Sequence, residues 1–314
     1  MATDDTTSAP AALCFGAVAE AYDRGRPGYP REAAAWLTGD QPLTVLELGA
    51  GTGKLTEHLV ALGHDVHATD PDPRMLDRLA LRLPELRVSQ TSAEEIPAAD
   101  ATFDIVVAAD SFEWFDAERA LPEIARVLKR GGTFAVVRNT RDERIPWVRR
   151  LGNLIGHHAA GAGLDEAIEE SPYFGPAEAM SFKQWQVIDR SSVQDLVRSL
   201  PGVATLERSS QESRVREVLA FYDDFGRGMD GMQLPYVTEC VRAVVGIQPK
   251  TIRQDTRPDA GTTPPDSEPG SEADPEQTTG APGEAGESTV PLALASAIEP
   301  PADDDSGMLL IDFR

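Results

Sequence analysis

From Leu43 to Asn139 the chain alternates between two residue periodicities, and this constrains its fold more than any single residue does. LTVLEL, DVHATD, LRVSQT, FDIVVAA and TFAVVRN are short and strand-like. KLTEHLVAL, PRMLDRLALRL and RALPEIARVLKR fall between them and carry helical spacing. Leu55, His58, Leu59 and Leu62 make one apolar stripe, and Leu121, Ile124, Ala125 and Leu128 another. FDIVVAA is apolar without alternation, as a parallel strand buried on both faces must be. Repeated strand–helix units predict a mostly parallel sheet with helices on both faces. Ligands of such sheets bind at the carboxyl ends of the strands, near the switch in strand order. Gly131 and Gly132 are expected to stop the third helix, with Pro122 in its first turn or at a kink. Further along, AMSFKQWQVID and LPYVTECVRAVV read as strands around two helical stretches, SSVQDLVRSL and ESRVREVLAFYDDFG. Pro235 predicts an edge strand.

The first strand runs into VLELGAGTGKLT, a glycine loop that could serve three ligands. A phosphate-binding P-loop needs glycine five residues before Gly53 and Ser or Thr after Lys54. Leu48 and Leu55 stand there, so the pattern fails. The dinucleotide fingerprint fits Gly49 and Gly51 but needs a small third residue for close helix–strand packing, and meets Lys54. What remains is an acid and G-x-G-x-G, from Glu47 to Gly53. An acid at a strand end suits a cationic ligand better than a pyrophosphate. Asp70 ends the next strand, where a carboxylate can take ribose hydroxyls, or can cap the following helix.

In order and spacing, VLELGAGTGKLT, HATDPDPRML, TSAEEIP, FDIVVAADSFEWFD and RVLKRGGTFAVV, preceded by FGAVAEAYDRGRPGYP, resemble a class I S-adenosylmethionine-dependent methyltransferase of the type 11 small-molecule branch. The resemblance covers roughly residues 15–246. It implies a Rossmann-like seven-stranded sheet whose last strand runs antiparallel, and S-adenosylmethionine as cofactor. It places Glu47, Gly49 and Gly51 beside the methionine part, Asp70 on the ribose, and Pro71 or Met75 near the adenine. Ala93 and Glu94 would meet the adenine edge, with Ser92 standing where the family often has Asp. Ala109 would sit below the sulfonium with Asp110. Tyr22 and Arg26 would lie near the methionine carboxylate, in a lid hinged at Gly25 and Gly28.

Transfer of an activated methyl needs alignment and exclusion of water more than covalent help. Asp110, Glu113 and His157 are the candidate bases, and Phe112 and Trp114 a candidate apolar wall; the bland alternative is a solvated loop with Asp116 as a helix cap. The stretch lacks the Asn/Asp-Pro-Pro-Tyr/Phe motif of enzymes that methylate exocyclic amines of nucleic-acid bases. His58 reads as a residue at the core boundary, and His157 and His158 fall in a stretch where substrate covers often form.

Net charge is -23, with -10 of it beyond residue 247, so acid dominates both parts and a nucleic-acid partner is disfavoured. Residues 126–150 run against this, with eight Lys or Arg and two acids, a patch that could draw an anionic acceptor or merely solvate a helix end. Cys14 and Cys240 give no disulfide framework and no metal cluster, and the polar start MATDDTTSAP lacks a signal-peptide pattern. A cytoplasmic protein with no membrane span is expected. Residues 1–14 read as a flexible start. Residues 247–306 hold Pro, Gly, Ser and acid in a composition that predicts a disordered tail, and the apolar end GMLLIDFR (307–314) reads as loose residues or a short docking strand. A nicotinamide-dependent oxidoreductase on the same fold, or an adenosyl-ligand binder without turnover, are the competing readings.

Overall fold

Parallel pairing joins β1 (Thr44–Leu48), β2 (Asp65–Asp70), β3 (Arg87–Gln90), β4 (Phe103–Ala109) and β5 (Leu128–Arg141). The computed structural model describes residues 14–156, 164–225 and 231–246. Two later strands, β6 (Glu178–Ile188) and β7 (Met232–Val244), complete one sheet in the order β3-β2-β1-β4-β5-β7-β6. β7 runs antiparallel to both neighbours. Strand order reverses between β1 and β4, so a crevice opens there above their carboxyl ends.

Helices α1 (Ala19–Gly25) and α2 (Arg31–Thr38) precede β1; α3 (Thr56–Ala61), α4 (Pro73–Arg82) and α5 (Ala117–Val127) follow β1, β2 and β4. After β5 come α6 (Pro146–Ile155) and α7 (Leu164–Glu169). Helices α8 (Ser192–Arg198), α9 (Pro201–Ala204) and α10 (Arg208–Phe225) lie between β6 and β7. Leu46, Leu48, Val106, Phe134 and Val136 pack with α5 on one face, while Val45, Val107, Ala135 and Val137 pack with α2 and α3 on the other. This two-sided burial is why β4 reads apolar throughout. A third cluster joins α6, α8 and α10 to Ile188, Leu234 and Tyr236 near the carboxyl end of β5.

Several sequence expectations change. α5 ends at Val127, three residues early, because β5 already pairs at Leu128 opposite Phe103. Gly131 and Gly132 therefore lie within the strand, where the register shifts between Phe103 and Ile105. Gly131 takes φ +76°, and a side chain on Gly132 would meet the Lys129 and Asp104 carbonyl oxygens at 2.8 and 3.0 Å. Pro122 stands in the second turn of α5. Pro235 is not on an edge, since β7 lies between β5 and β6. Its carbonyl accepts from Asp142 N, beyond the last β5–β7 pair, Arg141–Tyr236. A strand residue's N and O point the same way, so the missing N–H faces the Asp142 carbonyl, which accepts from Ile145 N instead. His58 is half-buried, as expected of a boundary position. Residues 1–13, His157, His158 and everything beyond Gly246 fall outside the described residues.

Candidate functional site

β1 delivers Glu47 to the crevice, and the loop after it turns through three glycines with positive φ: Gly49 at +69°, Gly51 at +58° and Gly53 at +88°. Each demands glycine on backbone grounds alone. The turn is pinned from β2. The Asp70 carboxylate accepts from Gly51 N at 2.9 Å and from Asp72 N at 2.8 Å. Burial pushes its pKa up to about 6, against these two bonds. The capping of α4 falls to Asp72, whose side chain accepts from Arg74 N.

Glu47 is the unusual group. Its side chain is fully buried, and neither carboxylate oxygen has a hydrogen-bond partner. Burial raises its pKa to about 8, with the Asp70 charge adding to the shift. The Thr56 hydroxyl lies beside it and tempers the shift without reaching hydrogen-bond geometry. Burying an acid without partners costs several kcal/mol when it is charged. Such a group does not serve stability. It fits a site that receives a cation.

Glu47, Gly49, Ala109 and Asp110 line one cavity together with Tyr22, Arg26, Tyr29 and Lys54. Its enclosed space is about 20 Å³, room for roughly one water. Arg26 lies 5.3 Å from the Tyr22 ring centre, and its Nε–H is buried without an acceptor. One face of the cavity thus holds a buried acid and another an arginine with a spare donor. These are complementary to the ammonium and the carboxylate of an amino-acid moiety.

Asp110 is handled differently. It takes φ +48°, a conformation rare for a residue with a side chain. Oδ2 accepts from the Tyr29 hydroxyl at 2.7 Å and Oδ1 from Asn139 N at 3.0 Å. Burial raises its pKa against those bonds. Both oxygens are engaged in holding β4, β5 and the N-terminal segment together, which leaves a poor general base. Glu113 is exposed, and crowding around its carboxyl with Asp110 beside it raises its pKa.

The segment YDRGRPGYP differs from its expected turn-rich form. Tyr22 to Gly25 belong to α1, and the segment is docked at many points. Lys54 Nζ donates to Asp23 O at 2.8 Å, and Arg82 donates to the Asp23 and Glu57 carboxylates. Asn139 and Gln184 both donate to Gly28 O at 3.0 Å, and Gln186 to Gly25 O at 2.8 Å. Gly25 is a packing glycine, since a Cβ there would stand 2.2 Å from Leu196 N in α8. Gly28 has open space around it. Lys54, the residue that spoils the dinucleotide pattern, ties α1 over the glycine loop; this use of it was not legible in the sequence.

The remaining candidates spread around the crevice. Met75 is buried against the loop, with its Cε 3.5 Å from where a Gly51 side chain would begin. Ala93 is buried, and Glu94 accepts from Asp116 N at the start of α5. Phe112 packs edge-on to Phe115 and Phe134 in the core, and Trp114 packs edge-on to Phe15. Asp116 stands at the N-cap of α5 without a side-chain capping bond. Five of the eight basic residues in the run are ion-paired among the described residues: Arg126 with Glu123 and Asp100, Lys129 with Asp104, Arg138 with Glu239, Arg141 with Glu143, and Arg144 with Asp142. Two larger hollows lie elsewhere, about 490 Å³ beside Asp104 and Gly131, and about 520 Å³ beside Arg144 and Lys183. Neither includes a glycine-loop residue. Among the described residues, no group of three His, Cys, Asp or Glu is arranged to hold a metal, and no helix is long and apolar enough to cross a membrane.

The chain is similar to known proteins. A family model for a methyltransferase domain of type 11 matches residues 46–136. An uncharacterised methyltransferase of Mycobacterium tuberculosis is 42% identical over 236 residues, 74% of this chain and 96% of its own. One from Schizosaccharomyces pombe is 33% identical over 200 residues, 62% of this chain and 79% of its own. A solved structure assigned to a type II methyltransferase from Anaeromyxobacter dehalogenans shares the fold with a TM-score of 0.52 at 24% identity. That match covers 69% of this chain and 97% of the other.

Proposed function

Because the chain belongs to the class I S-adenosylmethionine-dependent methyltransferases, in the type 11 branch, we propose that it methylates an O, N or C nucleophile of a small-molecule acceptor held above the carboxyl ends of β4 and β5. The observation that carries the reading is the partnerless Glu47 carboxylate facing the same small cavity as Arg26. Glu47 takes the cofactor's ammonium, Arg26 its carboxylate in a charge-assisted bond, and the Gly49–Gly51 backbone lets the methionine arm pass. Asp70 keeps lone pairs for the ribose while it holds the loop. Met75, Ala93 and Glu94 border the adenine, Ala109 lies below the sulfonium, and Tyr22 stands with Arg26 near the methionine carboxylate. When bound, the cofactor supplies a methyl already activated by positive sulfur. The chain's part is to align the acceptor and exclude water.

The enclosed space is too small for the methionine arm, so the segment carrying Tyr22 and Arg26 lifts to admit it and settles again. Asp110 sets the wall of the site, and Glu113 beside it, with its pKa raised, is the acid to accept a proton from an acceptor that must lose one. Catalysis is assigned to residues 15–246, and a chain ending at Gly246 is expected to keep its turnover. An acidic surface and the missing amine-methylation motif favour a metabolite over a nucleic acid, and the two free cysteines favour a reducing, cytoplasmic location.

Calorimetric titration with S-adenosylmethionine and with a nicotinamide dinucleotide tests the cofactor. Incubation of metabolite pools with cofactor carrying a labelled methyl tests the acceptor class. Tight binding of the nicotinamide compound, or label appearing only in nucleic acid, sinks the proposal.

A further inference from the structure

Asn139, Arg141, Tyr236 and Thr238 line up on one face of the sheet, paired in register as Arg141–Tyr236 and Asn139–Thr238. The Gly28 carbonyl is bound to Asn139 on that face, so the segment that carries Arg26 crosses one step away. Thr238 is satisfied, donating to Asn139 Oδ1 at 2.6 Å. Arg141 and Tyr236 are not. Arg141 is 3% exposed, with Nη2 donating to Gly156 O at 2.6 Å and lying 3.6 Å from the Glu143 carboxylate. Its Nε–H is buried with no acceptor. Tyr236 is 2% exposed, and its hydroxyl also meets nothing. Arg26 Nε, two residues before Gly28, is likewise buried without an acceptor, as is Arg138 Nε in β5.

Two donors side by side, both more than nine-tenths buried and both lacking an acceptor, are what a bound anion would complete. The methyltransferase reading gives Arg26 to the cofactor, and the Arg141–Tyr236 pair then has no use. It lies on β5 and β7, beyond Asp110 and Asn139 and on the side of the sheet order away from the glycine loop. We infer that Arg141 and Tyr236 hold a carboxylate of the methyl acceptor, so the acceptor is a small carboxylic acid. One guanidinium partly offset by Glu143, joined by a neutral hydroxyl, balances a single negative charge. A phosphate dianion would exceed it. This inference rests on the proposed function for the acceptor's place, but the donor pair is read from the sheet itself.

The test uses the full-length chain, titrated calorimetrically with malonate, succinate and tricarballylate, with succinamide as the neutral isostere and glycerol 2-phosphate as the phosphate probe. Each titration is run with and without saturating S-adenosylhomocysteine. The expected result is binding of at least one carboxylate and none of the amide. Arg141→Gln should weaken it about tenfold to a hundredfold and Tyr236→Phe about threefold to tenfold, with homocysteine-cofactor affinity unchanged within about twofold. Tyr236→Phe keeps the ring in place and decides the matter if Arg141→Gln does not fold. Absence of carboxylate binding, equal binding of succinamide, binding of the phosphate alone, or full carboxylate affinity in Tyr236→Phe overturns the inference. So does a parallel fall in cofactor affinity in that variant, which would make the pair structural. A wild-type chain that ignores S-adenosylhomocysteine overturns the methyltransferase reading instead, because the titration without cofactor reads the donor pair on its own.

Discussion

Glu47 and Asp110 stand at the carboxyl ends of adjacent strands, both acidic and both raised in pKa by burial, yet their regions use them in opposite ways. At the end of β1 the carboxylate has no partner, and the backbone beside it is shaped by three positive-φ glycines. At the end of β4 the carboxylate is bound at both oxygens by Tyr29 and Asn139, and the strained backbone belongs to the acid itself. The first region leaves a charge to be answered from outside. The second uses its charge up in joining β4, β5 and the N-terminal segment. An acid in a crevice is thus read by its partners, not by its burial or its pKa. Glu47, without partners, is left for a ligand, while Asp110 spends its bonds on joining strands to the N-terminal segment; Asp70, also bound at both oxygens, spends its bonds on the glycine loop itself.

The largest test of that contrast is Gly51→Val. At φ +58°, with the cofactor passing close by, a branched side chain is strained and obstructive. Cofactor affinity should fall at least about a hundredfold, measured by calorimetry, while the far-ultraviolet circular dichroism stays native. Retained affinity would falsify the cradle.

Glu47→Gln should weaken cofactor binding by about a hundredfold, the scale of removing one member of a buried charge pair. It also changes the pH response of the free protein. The folded pKa near 8 lies above the ordinary 4.5, so the folded state holds a proton that the unfolded state has released. The Glu47 contribution to stability is fully present below about 4.5 and is lost as pH rises toward about 8, by up to about 1.4 kcal/mol per pH unit. Asp70 acts in the same direction only up to its value of about 6, while Asp110 and Glu113, also raised, are present in wild type and variant alike, so the difference between the two curves reads Glu47. Melting temperatures at pH 6, 7 and 8 should drop in the wild type and stay flatter in Glu47→Gln. Parallel curves would mean that Glu47 is not the buried proton holder.

Arg26→Ala should cost about tenfold to a hundredfold in S-adenosylmethionine affinity and leave adenosine, which lacks the carboxylate, unaffected. Equal losses for both ligands would move Arg26 from the cradle to the docking of α1. Asp110→Asn is the mildest change. Asn tolerates positive φ and keeps an acceptor for one of the two bonds. Turnover should fall less than about tenfold, with cofactor affinity nearly constant. A loss near a thousandfold, the scale of a missing general base, would erase the contrast between the two acids.

Some of this was legible in residue order. Strand–helix alternation fixes a parallel sheet, because buried parallel strands must be apolar throughout and their covering helices must carry one apolar stripe. G-x-G-x-G fixes the turn, since only glycine takes three positive φ values in five residues without strain. The acid before it was legible as a ligand for a cation. Local sequence, however, could not say which acids would be partnered. Glu47 and Asp110 look alike in the chain, and only Tyr29 and Asn139, 81 and 29 residues from Asp110, separate their roles. Lys54 read only as a misfit in one motif until α1 folded across it and offered the Asp23 carbonyl. Pro235 suggested an edge because sequence records the missing N–H but not the side it faces, which depends on where β5 ends. Arg141 belonged to a basic run; near-complete burial opposite Tyr236 set it apart from its more exposed neighbours. Periodicity and backbone strain are carried by near neighbours, so the chain states them outright. Hydrogen-bond satisfaction depends on groups brought together across the sheet, and it exists only once the chain has folded.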